Sequence, residues 1–403
     1  MKDLKTLYKY EKLLEDANNE LVRQASSEGR KCVGNVCFQI PEPLLNLDGI
    51  FSVRLRAPRI GGMGMGTYYM TSFLCEYTRA LLERAIEGGY EFLDCLIAPD
   101  GCTMINRCVE NMELLKINSK EDFFYKYLEV PMKEDENGLN LYVSQCKEKI
   151  LEPLHEKYGC DISDAALRKA VENFNKVCRI ITELGEYRKA EFPKITGTEF
   201  HLITMATYVC PHDLILPLLE ETLEEVKARE PDSPKDFAKK YRARVVLAGS
   251  EIDDVDCVAL IEESGALVVA DRFCYGSLPG RQQIILNDKE DALTQICRHY
   301  LYSCQCPRHF NIDAIKKRRA YIAKLATDYS ADGVIVEQMK FCDPWAYERA
   351  TNTYTLREEY KIPVLSVDRP YNVGKSGQLR TRVQAFVESL EIKKIQSKKG
   401  EEK

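Results

Sequence analysis

One plan occurs twice along this chain, and it limits the fold more than any other feature of the sequence. A short apolar run is followed by a short helical stretch ending near glycine and by a second apolar run. A long excursion then leads to a third run that ends close to a cysteine. In the first half the runs are KCVGNVCFQI (31–40), FSVRLRA (51–57) and FLDCLIAP (92–99), with NLDG at 46–49 and Cys102 after the third run. In the second half they are RARVVLAG (242–249), ALVVADRF (266–273) and DGVIVEQMKF (332–341), with EESG at 262–265 and Cys342, and IPVLSVD (362–368) follows. Runs of this length, bounded by turn residues and alternating with helical segments, are the pattern of parallel sheets covered on both faces. The predicted fold class is α/β with two parallel-sheet domains and a helical linking region near 141–190. The predicted divisions are an N-terminal helix (1–30), a first α/β domain with helical extension (31–190), a second α/β domain (191–392) and a charged tail (393–403).

The 403 residues exceed the roughly 100–200 of one domain, and a 45% hydrophobic content excludes general disorder. With 57 basic against 63 acidic side chains, the net charge of −6 gives no overall attraction to nucleic acid or an anionic membrane. No apolar run approaches the roughly 18 residues of a membrane span, and the start is charged and helix-periodic rather than signal-like. A cytoplasmic location is expected, with neither nucleic acid nor membrane as partner. In that reducing setting the 16 cysteines read as packing residues or as metal and catalytic thiols, not as disulfides. Cys146, Cys160 and Cys178, in the helical region, are expected to pack.

GKS at 374–376 lacks the phosphate-loop glycine, because Arg369 stands five residues before Gly374, so ATP hydrolysis by this chain is not expected. GGMGMG at 61–66 lacks dinucleotide-fingerprint spacing and reads as a loop. CPH (210–212) and CQCPRH (304–309) lack the paired CxxC sets of a structural zinc site. Position is more informative. Open parallel sheets bind ligands beyond the carboxyl ends of their strands, where Cys102 and Cys342 occupy matching places. Cys75, at the start of the next helical stretch upstream of Cys102, reaches the same rim. Three soft thiolates without histidine suit an iron–sulfur cluster better than zinc, calcium or magnesium.

At these residues the sequence resembles the superfamily of 2-hydroxyacyl-CoA dehydratase subunits, benzoyl-CoA reductase subunits and double-cubane cluster proteins. The resemblance covers nearly the whole chain: GNVCFQIPEPLLNLDGIFSVRLRAP (34–58), the region of Cys75 and Cys102, VVADRFCYGS (268–277), DGVIVEQMKFCDPWAYE (332–348) and GQLRTRVQAFVESL (377–390). It implies two flavodoxin-like (Rossmann-like) domains around a 4Fe-4S cluster held by Cys75, Cys102 and Cys342. One departure is Cys102-Thr103 where the family has Cys-Asp, which keeps Cys108 open as an alternative ligand. The implied activity is elimination of water from a (R)-2-hydroxyacyl-CoA through a ketyl radical. The implied partners are an ATP-hydrolysing iron–sulfur activator and a second subunit, homologous or identical, in a dimer. An alternative is an ATP-dependent low-potential reductase of the benzoyl-CoA reductase or double-cubane type. An 8Fe-9S double cubane requires about six thiolates, drawn also from Cys37, Cys108, Cys274, Cys304 or Cys306. A third reading is a cluster-carrying partner without activity of its own. Gln378 and Arg382, at the start of the helix after IPVLSVD, are expected to position the cluster or the acyl thioester, against the plainer role of bracing that helix.

Overall fold

The computed structural model describes residues 1–309, 311–373 and 376–401, so Gly374 and Lys375 of the GKS motif lie outside the described residues. Two four-stranded, wholly parallel sheets carry the chain. The first contains β1 (Lys31–Asn35), β2 (Ile50–Arg54), β3 (Cys95–Asp100) and β4 (Phe124–Glu129) in the order β2-β1-β3-β4. The second contains β5 (Ala243–Gly249), β6 (Ala266–Phe273), β7 (Gly333–Met339) and β8 (Val364–Arg369) in the order β6-β5-β7-β8. The two orders are the same, so the doubled sequence plan is a doubled topology. Gly49 and Gly265 enter β2 and β6 at matching points with φ of 85° and 95°, a region open to glycine at little cost.

Register places alternate residues on opposite sheet faces. Cys32 pairs with Phe51, and Val33 with Cys95. Cys32, Phe51, Leu96 and Ala98 belong to one core, whereas Val33, Ile50, Cys95 and Ile97 join another that includes Leu139, Tyr142, Val171 and Phe174 from the helices Glu136–Cys146 and Asp164–Glu186. Both faces of the central strands are thus dry, which is why they read as unbroken apolar runs. The strand β4 has no counterpart among the predicted runs because FYKYLE lies at an edge with four half-buried residues. The amino-terminal segment forms two helices, Leu7–Glu15 and Glu20–Ser27, not one. Asn19 makes the break by accepting from the N–H groups of Leu21 and Val22 at 3.1 Å.

The helix Gly197–Val209 is buried around its circumference and packs against both β2 and β6, which joins the halves. It opens with a capping box between Thr196 and Glu199. A buried charge cluster adds a second joint. Arg281, from the loop after β6, meets Glu42, from the 3-10 turn after β1, at 2.8 and 3.2 Å, and His212 Nε2 lies 2.7 Å from the same carboxylate. Burial pushes the Glu42 carboxyl up, but Arg281 and His212 outweigh it and hold the group down at about 2. Among the described residues no helix is long and apolar enough to cross a membrane.

Candidate functional site: a six-thiol cavity between the sheets

In a sheet ordered 2-1-3-4 the chain reverses direction across the sheet between its first and third strands, and a crevice opens at their carboxyl ends. The two crevices face one another and form a single cavity. Cys37, Cys75, Cys102, Cys274, Cys306 and Cys342 all line it, together with Gln39, Tyr77, Thr78, Met104, Ile105, Ser250, Glu251, Met339 and Trp345.

Local structure explains each placement. Cys37 follows β1, Cys102 follows β3, Cys274 follows β6 directly, and Cys342 follows β7. Cys75, Cys102 and Cys342 are each the residue that caps a helix start, of Glu76–Ile86, Thr103–Leu114 and Asp343–Glu358. The helix dipole and the free N–H groups of the first turn favour a thiolate there. Backbone groups act accordingly at Thr78 and Tyr77 for Cys75, at Ile105 and Met104 for Cys102, and at Trp345 for Cys342.

The thiols form two groups of three. Cys75 and Cys342 interact with one another, and Cys102 interacts electrostatically with both. Cys306 and Cys37 interact with one another, and Cys274 with both. Cys102 and Cys306 interact across the gap between the groups. Each group draws on both halves of the chain. The Cys75 segment docks on the second sheet, where Glu76 N–H donates to Lys340 O at 3.2 Å. In return the Cys306 segment docks on the first half, where Arg308 Nη2 donates to Val130 O at 2.7 Å.

Protonation follows from packing. The interaction with Cys342 draws the Cys75 thiol down and pushes Cys342 up. Its bond with Cys304 takes Cys306 down to about 6. Burial pushes Cys102 up to about 11, Cys37 up to about 12, and Cys274 up as well. Glu251, the carboxylate of the cavity wall, accepts from Arg54 at 2.7 Å through Oε1, whereas Oε2 is buried with no partner among the described residues. Burial pushes this carboxyl up to about 7.

Among the described residues no three Cys, His, Asp or Glu side chains converge closely enough to hold one metal ion. Zinc on thiolates needs sulfurs about 3.8 Å apart, given Zn–S bonds of about 2.3 Å. The donor set, six soft thiols with no histidine among them, fits a multi-iron cluster instead.

Of the sequence-predicted residues, Cys75, Cys102 and Cys342 come together here. Cys108 is buried in an apolar core and does not line the cavity, and Cys304 lies behind Cys306. Gln378 and Arg382 are not brought to the cavity: Gln378 is exposed, and Arg382 donates to Ser366 O of β8. The signal for Cys37 and Cys274 was present in their positions at strand ends. Cys306 sits in an irregular loop, where spacing carries no such signal.

A 2-hydroxyglutaryl-CoA dehydratase D-component family profile (HGD-D) matches residues 37–390. The chain is 25% identical to the (R)-phenyllactyl-CoA dehydratase beta subunit of Clostridium sporogenes, over 94% of this chain and 97% of that one. It is 23% identical to one of the subunits of benzoyl-CoA reductase from Thauera aromatica, over 95% and 97%. Identity to the beta subunit of (R)-2-hydroxyglutaryl-CoA dehydratase from Acidaminococcus fermentans is 21%, over 92% and 95%. The match spans nearly all of both sheets and every thiol of the cavity, and the chain belongs to the 2-hydroxyglutaryl-CoA dehydratase D-component family.

Proposed function

We propose that this chain is the iron–sulfur component of an ATP-activated, low-potential reductase of the double-cubane type. The observation that carries the reading is the lining of one cavity by six thiols in two groups of three. Three thiolates leave one iron of a four-iron unit without a protein ligand, and two such groups side by side suit an eight-iron cluster. Cys75, Cys102 and Cys342 would hold one unit, and Cys37, Cys274 and Cys306 the other. Bound there, the cluster would supply electrons at low potential.

The chain's own residues do the rest. Helix starts at Cys75, Cys102 and Cys342 stabilise the thiolates. Met104, Ile105, Met339 and Trp345 keep the wall apolar and exclude water. Glu251, the ion-pair partner of Arg54, lines the same wall and can take up and release a proton near pH 7. Electrons come from a separate ATP-hydrolysing activator, and the assembly is a dimer with a second copy or a homologous subunit.

A second reading is favoured by the names of the dehydratase relatives. It is dehydration of a 2-hydroxyacyl-CoA with a 4Fe-4S cluster on Cys75, Cys102 and Cys342 alone. Anaerobic reconstitution followed by iron and sulfide counting separates the two. About eight irons per chain is the expected result, and about four would select the dehydratase reading.

A further inference from the structure

Among the described residues, three buried arginines near the six thiols are paired with carboxylates. Arg54 is paired with Glu251 at 2.7 Å, Arg318 meets Glu348 with both prongs at 3.0 and 3.1 Å, and Arg79 faces Glu76 at 3.5 Å. Arg272 differs. It is 2% exposed, and its contacts are Gln305 O, Gln305 Oε1 at 3.4 Å and the Trp345 ring at 4.9 Å. No carboxylate among the described residues forms an ion pair with it. A guanidinium does not give up its proton in a protein, so this buried charge requires a counter-ion.

The surroundings indicate which one. Arg272 lies on β6 two residues before Cys274, its acceptor Gln305 adjoins Cys306, and Trp345 lines the cavity. The neutralised arginines point the same way, since Arg54 donates to Cys274 O at 2.8 Å and Arg318 to Cys306 O at 3.2 Å. On the other side Arg79 donates to Leu74 O at 3.1 Å and to Thr67 Oγ1 at 2.9 Å, neither of them a cavity cysteine, and brings its own carboxylate. Among the described residues, the guanidinium bonds to backbone of the cavity cysteines therefore fall on Cys274 and Cys306.

We infer that Arg272 is a fixed counter-cation for the Cys37, Cys274 and Cys306 half of the bound cluster, so that an added electron resides on that half. The inference rests on the six-thiol reading. A nearby positive charge lowers the energy of whichever state carries more negative charge, and in a dry site that effect is strong. One electron leaves a low-potential donor, which is oxidised by one, and the cluster is reduced by one. No bond or proton changes at Arg272. The other half then takes the later electron and is the more reducing of the two.

The test is a redox titration of the full chain, reconstituted anaerobically with iron and sulfide, using titanium(III) citrate and following the paramagnetic signals. Two separate midpoint potentials are expected. Arg272→Met should lower the higher one by at least a tenfold change in occupancy, or about 59 mV for one electron, and leave the lower one in place. Arg272→Lys should restore most of the difference. Met104→Lys, which adds a cation on the wall next to Cys102, should raise the lower potential and narrow the gap, and it serves where Arg272→Met does not fold. At about eight irons per chain, equal shifts of both potentials or no shift in either variant would overturn the inference alone. About four irons in the natural chain would overturn the six-thiol reading and the inference with it.

Discussion

Cys75 and Cys342, from opposite halves of the chain, line the same cavity and interact with one another there. Beside it, Glu76 N–H donates to Lys340 O, and the Glu76 carboxylate accepts from Tyr371 N–H at 2.7 Å. The helix start at Cys75 is thereby fixed to the second sheet as well as to its own, where Tyr77 Oη donates to Leu55 O at 3.1 Å.

Serine at any one of Cys75, Cys102 or Cys342 is expected to remove about half of the iron, and so is serine at Cys37, Cys274 or Cys306. Iron counting with visible absorbance near roughly 400 nm checks this. Full retention in a variant would remove that residue from the ligand set.

Cys146, Cys160 and Cys178 are buried in the helical core, away from the cavity. Alanine at each should leave iron content unchanged and cost about 1 kcal/mol of stability, read by denaturant unfolding.

The Glu42 carboxyl is held at about 2, below its value in the unfolded chain, so its ion pair with Arg281 stabilises the fold above about pH 4.5 and that contribution is lost as pH falls toward 2. Glu42→Gln should cost on the order of 3 kcal/mol at neutral pH, because it leaves Arg281 buried without its partner. The variant's stability should also change less with pH across that acid window. An unaltered acid profile in chemical denaturation would show that the pair carries no such linkage.

The chain incubated alone with NADH should not turn over, and activity should require both ATP and an activator protein. Turnover with NADH alone would contradict the proposed electron supply.

Gln378→Ala should change neither iron content nor turnover, and should shift stability by no more than about 0.5 kcal/mol, since the side chain is exposed. Arg382→Ala removes the bond to Ser366 O and should cost about 1 kcal/mol. A fall in turnover without a loss of stability in either variant would restore the positioning role that the sequence suggested.

The sheets were legible because burial on both faces leaves a continuous apolar run, as in ALVVADRF for β6. Where one face is half open, as at β4, the signal fades. The site was legible in part. Cys102 and Cys342 occupy equivalent places in the repeat, so position alone pointed to them. The second group was legible only as a choice among Cys37, Cys108, Cys274, Cys304 and Cys306, because Cys37 and Cys274 join Cys306 only when its loop crosses to the first half, and that crossing is a tertiary event. The start of the final helix does not line the cavity for a related reason. Following a strand does put a helix at the sheet's carboxyl end, but Gln378 is exposed there and Arg382 is braced on β8.

The exchange of segments between the halves has a consequence for biogenesis. In ferredoxin-like sequences, closely spaced cysteines let a short stretch of chain gather a cluster early. Here one group needs Cys342 and the other needs Cys306, so neither is complete until most of the polypeptide has left the ribosome and both sheets have docked. On the six-thiol reading, cluster insertion would be the last step of maturation, and an isolated half of this protein would be a receptacle with half its rim.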